Sequence, residues 1–112
     1  MKIGIDSEQI SRMSQKLLNR IATPNEIEYV GKFGHAKPHI ASLWTAKEAT
    51  IKALGKSDIS FLDIEILHDE NGKPSVALHG KAKQQFASMG LTEIEISITH
   101  TKTVATAIVL AQ

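Results

Sequence analysis

The sequence predicts an α+β domain in which an antiparallel sheet is packed against helices. Three observations carry that expectation. The elements follow one another as strand, helices, hairpin, helix, hairpin. Two runs of strand character flank Asn71-Gly72, a dipeptide suited to a tight hairpin turn. One helical pattern, Ile40 to Leu54, is long enough to carry a core.

The chain opens on a short apolar run, Lys2 to Ile5, containing Gly4. Asp6 ends that run just before the helical spacing of Ile10, Met13, Leu17, Leu18 and Ile21. Asp6 is then either the N-cap of the following helix or a carboxylate held at a strand end, a rigid place for a metal ligand. Thr23-Pro24-Asn25-Glu26 has the pattern of a capping box with proline in the first turn, so a short helix is expected to about Lys32. Lys32 to Lys37 reads as a loop, and the long helix is expected to start at Pro38 or His39 and to stop at Gly55. Residues 60 to 79 read as a hairpin, with alternation from Phe61 to Leu67 and a second strand from Ser75 to Leu78. Gly80 opens a short helix that buries Ala82, Phe86 and Met89 and ends at Gly90. Strands Glu93 to Thr99 and Val104 to Leu110 complete the chain as a second hairpin through His100 to Thr103.

The long helix carries charges where a plain scaffold helix has no need of them. At about 100° per residue, Ile40, Leu43, Trp44, Ile51 and Leu54 form one apolar stripe. Lys47 falls inside the stripe, Glu48 lies at its border, and Lys52 follows at i+4 on the same flank. One account makes Glu48 and Lys52 an exposed pair worth about 0.3 to 0.5 kcal/mol, with the Lys47 ammonium in water. The other has these charges facing a polyanionic ligand, with a divalent metal on Glu48.

Composition narrows the function classes. With 112 residues the chain is expected to be one domain, residues 1–112. Thirteen basic against 12 acidic residues leave a net charge of +1, and there are only three Phe, one Trp and one Tyr, which disfavours a nucleic-acid binder. The absence of cysteine excludes disulfides and thiolate chemistry, so a metal would rest on carboxylates or the five histidines, and a hard cation such as Mg²⁺ fits better than zinc. There is no signal-like h-region and no run of about 18 apolar residues, so a soluble cytoplasmic protein without membrane association is expected.

Four segments together resemble one family. They are IGIDSEQISRM from Ile3 to Met13, WTAKEATIKALG from Trp44 to Gly55, DENGKP from Asp69 to Pro74, and ISITHTKTVATAIV from Ile96 to Val109. In this order and spacing they are similar to the holo-[acyl-carrier-protein] synthase family, the short 4'-phosphopantetheinyl transferases, over nearly the whole chain. The resemblance implies that family's fold and its reaction. The phosphopantetheine arm of coenzyme A would move to a serine of an apo acyl carrier protein, releasing 3',5'-ADP, with Mg²⁺ as cofactor.

On the same resemblance Asp6 and Glu48 are the metal ligands, with Glu48 also the candidate general base. Lys52 stabilises charge on the pyrophosphate, and Lys47 is a second phosphate contact. His100 is expected at the 3'-phosphate end of coenzyme A, Pro74 near the adenine, and Arg12 against the acidic helix of the carrier protein. The family's short members form homotrimers with active sites between protomers, so a trimer is expected. Departures from the pattern are Leu43, where an arginine is common, Lys56-Ser57-Asp58 after Gly55, Gln9, and Thr99. Leu43 and the altered loop after Gly55 raise the alternative of a relative that binds coenzyme A or a carrier protein without turnover. His35, His39, His68 and His79 match no motif and are expected at the surface or in structural roles.

Overall fold

The computed structural model describes all residues from Met1 to Gln112. Strand β1 (Lys2–Gln9) leads through a 3-10 turn (Ile10–Arg12) to helices α1 (Gln15–Ile21), α2 (Pro24–Val30) and α3 (Ala36–Leu54). A second 3-10 turn (Phe61–Asp63) precedes β2 (Ile64–His68) and β3 (Pro74–Leu78), followed by α4 (Gly80–Ser88), β4 (Ile94–His100) and β5 (Val104–Ala111). The strands form two antiparallel sheets rather than one: three strands in the order β1-β5-β4, and the β2-β3 hairpin. The α+β class holds. No helix is long and apolar enough to cross a membrane.

Helix α3 is the centre of the molecule. Ile40, Leu43 and Leu54 of the expected stripe are buried, whereas Trp44 and Ile51 are only half-buried. Its other faces are buried as well, because they consist of Ala41, Ala46, Ala49 and Ala53. The sheet below answers with small residues, Ala105, Ala107 and Ala111 on the inner face of β5. Gly4 takes this furthest: a Cβ there would collide with the Ala49 carbonyl and stand 2.7 Å from the Ala53 nitrogen. Small against small lets the helix lie almost on the strand backbone. Larger core residues, Leu18, Ile40, Leu54, Ile64 and Val109, each contribute about 1.5 to 3 kcal/mol by full burial.

The capping box at Thr23 is present as expected. Its hydroxyl accepts from the Glu26 N–H at 3.3 Å, and Glu26 Oε1 accepts from the Thr23 N–H at 2.8 Å. Gly55 ends α3 in the left-handed region at φ 68°, which glycine adopts without a Cβ penalty. Helix α3 begins earlier than expected, at Ala36, with Pro38 accommodated in its first turn where the N–H groups lack helical partners anyway.

Two segments differ in kind. The expected helix after Asp6 is preceded by further strand, because β1 stays in register with β5 as far as Gln9–Val104 and Ile10 N–H still bonds the Thr103 carbonyl at 2.9 Å. The true helix starts at Gln15, capped by Ser14 Oγ, which accepts from the Leu17 N–H at 3.1 Å. Asp6 is therefore no N-cap; it sits within the strand. Likewise Phe61–Asp63 is a 3-10 turn and not the start of a strand, with Ser60 Oγ capping it from the Leu62 N–H. Leu62 is consequently half exposed instead of aligned with Ile64 and Ile66.

Candidate functional site

Alternation along β1 places Gly4, Asp6 and Glu8 on the face toward α3, and Ile3, Ile5 and Ser7 outward. The close approach at Gly4 thus sets Asp6 directly against the last two turns of α3. There Lys52 Nζ donates to Asp6 Oδ1 at 3.0 Å and to the Ile5 carbonyl at 3.0 Å. Asp6 Oδ2 is buried and has no hydrogen-bond partner.

Glu48 lies one turn before Lys52 and is half-buried. Burial pushes its carboxyl above the ordinary range, and the negative charges of Asp6 and Glu8 push the same way, opposed by Lys52. Asp6, Glu8, Glu48 and Lys52 therefore share one electrostatic site. Glu8 was not among the expected residues. Its signal was the i, i+2 spacing with Asp6, which has meaning only if the strand runs past Ile5.

The donor set suits a hard cation. A buried carboxylate oxygen without a partner, beside a second carboxylate whose ionisation its neighbours disfavour, is an arrangement that a divalent cation relieves. Mg²⁺ asks few ligands of the protein and fits two carboxylates. No group of three or more His, Asp and Glu side chains is arranged as a metal cage.

The other expected residues fall in different places. Lys47 is a correction: it cannot contact a phosphate, because its side chain is fully buried and its ammonium is consumed by Glu26 Oε1 at 2.6 Å, the Ile21 carbonyl at 2.6 Å and the Phe61 carbonyl at 3.0 Å. Burial pushes its pKa down, against the pull of Glu26. Leu43 packs into the hydrophobic core, so the position where an arginine is common faces inward here.

Arg12 ends the first 3-10 turn, exposed and 3.6 Å from Glu8 Oε1. A groove of about 270 Å³ runs past it, lined by Ser7, Glu8, Gln9, Arg12 and Val104. His100 ends β4, exposed, its Nδ1 3.2 Å from the Thr101 carbonyl. It is close enough to His39, in the first turn of α3, to help lower that group's pKa, after the larger effect of burial. Pro74 opens β3 opposite His68, and no hydrogen bond joins it to Asp6, Glu48 or Lys52.

His39 and His68 belong to a ring cluster unseen in the sequence. His68 stacks on Tyr29 at 3.9 Å, His39 on Phe33 at 3.7 Å, and Tyr29 meets Phe33 edge-on at 5.2 Å.

A profile of the 4'-phosphopantetheinyl transferase superfamily matches residues 2–109. The chain is 41% identical to the holo-[acyl-carrier-protein] synthase of Thermoanaerobacter sp. (strain X514), across 97% of this chain and 85% of that protein. Its backbone superposes on the crystal structure of the Neisseria meningitidis holo-[acyl-carrier-protein] synthase with a TM-score of 0.86 at 29% identity, covering 99% of this chain and 97% of that one. The Helicobacter pylori holo-[acyl-carrier-protein] synthase, solved in complex with coenzyme A, gives 0.84 at 29% identity over 98% and 99%. A match across nearly every residue, in sequence and in backbone, places the chain in the 4'-phosphopantetheinyl transferase superfamily, as an enzyme of the holo-[acyl-carrier-protein] synthase type.

Proposed function

We propose that residues 1–112 act as one domain that transfers the 4'-phosphopantetheine arm of coenzyme A to a serine of an apo acyl carrier protein, with Mg²⁺ as cofactor. The observation that carries this is the convergence of Asp6, Glu48 and Lys52 between β1 and α3. Coenzyme A as substrate is supported by relatives solved with it.

The serine oxygen forms a bond to the β-phosphorus of coenzyme A, and the bond from that phosphorus to the leaving 3',5'-ADP breaks. Asp6 and Glu48 would hold Mg²⁺, which when bound supplies charge neutralisation on the pyrophosphate. Glu48 takes the serine proton, directly or through a water. Lys52, half exposed and anchored by the Ile5 carbonyl, turns toward the charge that develops on the leaving group. His100 takes the 3'-phosphate, Pro74 flanks the adenine, and exposed Arg12 meets the acidic helix of the carrier protein.

The active assembly is a homotrimer. Support comes from the outer face of β1, where Ile3 and Ile5 are 62% and 56% exposed beside Leu110 and Ile108 of β5. A cytoplasmic site of action goes with a carrier-protein partner. Mass spectrometry of apo acyl carrier proteins after incubation with coenzyme A and Mg²⁺ tests the reaction. A gain of the phosphopantetheine mass is expected; no gain on any carrier would favour binding without turnover.

A further inference from the structure

The buried ion pair of Lys47 and Glu26 has no part in the chemistry above, yet it sits one residue from Glu48. Both side chains are essentially inaccessible, at 0% and 1% exposure. Desolvation of two charges taken so far out of water offsets much of their mutual attraction, so the pair by itself is a weak source of stability. What it does fix is position.

The three ammonium hydrogens meet three acceptors: the Ile21 carbonyl at the end of α1, Glu26 on α2, and the Phe61 carbonyl in the second 3-10 turn. Glu26 is held in turn. Its Oε1 also accepts from the Thr23 N–H at 2.8 Å, and its Oε2 from the Ile66 N–H of β2 at 2.8 Å.

Lys47 is thus anchored to the layer formed by α1, α2 and β2. Two residues further, Ala49 presents its carbonyl to Gly4 of β1. At about 100° per residue these two anchor points lie about 200° apart around α3. The helix is gripped on nearly opposite sides, and Glu48 lies between the grips with Lys52 one turn beyond. Rotation of α3 about its axis, the motion that would carry Glu48 away from Asp6, is blocked from both directions.

We propose that Glu26, acting through Lys47, is a positioning residue for the Asp6–Glu48 site. It sets the azimuth of α3 and so the separation of the two carboxylates. The inference rests on the proposed reading of that site as the metal and proton centre. A displacement of about 1 Å at such a centre costs up to about 100-fold in rate.

The test uses Glu26→Gln, Lys47→Met and the double variant of the full chain, with Asp6→Asn as control. Three quantities are read: kcat and KM for coenzyme A, Mn²⁺ binding by electron paramagnetic resonance without substrate, and the urea midpoint. Glu26→Gln is expected to lower kcat about 10-fold or more with KM for coenzyme A changed less than about twofold, and to weaken Mn²⁺ binding. In the double variant the urea midpoint is expected to return toward wild type, while kcat and Mn²⁺ binding stay impaired. Wild-type kcat and Mn²⁺ affinity in any folded member of the set overturns the proposal, as does failure of all three to fold, which makes the pair purely structural. If Asp6→Asn itself leaves transfer and Mn²⁺ binding intact, the site reading has failed. If it abolishes both while Glu26→Gln changes neither, only the positioning role is lost.

Discussion

Lys52 reaches Asp6 across 46 positions of sequence and ends 3.0 Å from its Oδ1, on a side chain that is still 52% exposed. An ion pair so open to water contributes no more than about 1 kcal/mol to folding. Lys52→Ala is therefore expected to leave the urea midpoint nearly unchanged while lowering carrier-protein modification by about 100-fold or more. Parallel denaturation and transfer assays check it; a loss of stability matching the loss of activity would make Lys52 a structural residue.

Glu48 has the opposite relation to stability. Its carboxyl is pushed up by burial first and by Asp6 and Glu8 next, so near and above its ordinary value the folded chain holds a proton that the unfolded chain releases. Its contribution is therefore full at low pH and is lost as pH rises through the raised value. Glu48→Gln is expected to melt higher than wild type at neutral pH, with the advantage fading by about pH 4. The variant is also expected to be inactive, and millimolar Mg²⁺ is expected to raise the wild-type melting temperature only. Thermal scans across pH, with and without Mg²⁺, measure all of this.

Gly4→Ala is expected to be among the most damaging single-methyl additions in the molecule. The new Cβ would meet the Ala49 carbonyl and the Ala53 nitrogen, both backbone atoms that cannot rotate away. Overpacking of this kind costs about 3 kcal/mol or more. Urea denaturation reads the stability, and the transfer assay reads the accompanying shift of β1 against α3.

The ring cluster gives a second pH dependence, of opposite sign. Burial lowers the pKa of His68, with His39 adding to it, and burial lowers that of His39, with His100 adding to it. The folded chain then binds fewer protons than the unfolded one just below about pH 6.5, so stability falls as pH drops through that window. His68→Phe, which keeps the stack on Tyr29 and removes the titrating ring, is expected to flatten the fall between about pH 7 and pH 5. Urea midpoints at several pH values decide it.

Ile5→Lys places a charge on the outer face of β1 without touching the core. If that face joins protomers, the variant is expected to sediment as a monomer, with transfer activity falling along with the association. Light scattering at matched concentrations checks it; an unchanged assembly would move the interface elsewhere.

What the sequence disclosed was local. The capping box at Thr23, the stop at Gly55 and the turn at Asn71-Gly72 each depend on neighbours within a few residues, and each appears where expected. The misreadings needed partners far along the chain. Strand β1 continues past Asp6 because of β5, about 100 residues later, and that continuation is what puts Glu8 beside Asp6. Spacing puts Lys47 inside the apolar stripe, but what takes its ammonium out of water is a glutamate 21 positions upstream that also has a capping role. Likeness to a family is what joins Asp6 to Glu48 and Lys52; spacing alone leaves Glu48 and Lys52 open between an exposed helix pair and a ligand-facing one. The stack of Tyr29, Phe33, His39 and His68 has no short-range sequence pattern at all.

The ladder between β1 and β5, from Lys2–Ala111 to Gln9–Val104, has a consequence for how the molecule comes into being. Domains fold as units during synthesis, and long loops must close before distant strands pair. Among the elements of residues 1–112, β1 is made first and its hydrogen-bonding partner β5 last. Until β5 has been synthesised, Asp6 sits on an unpaired strand and the carboxylate pair does not exist. A nascent chain that ends at α3 therefore carries Glu48 and Lys52 but lacks the β1–β5 pairing that sets Asp6 against them.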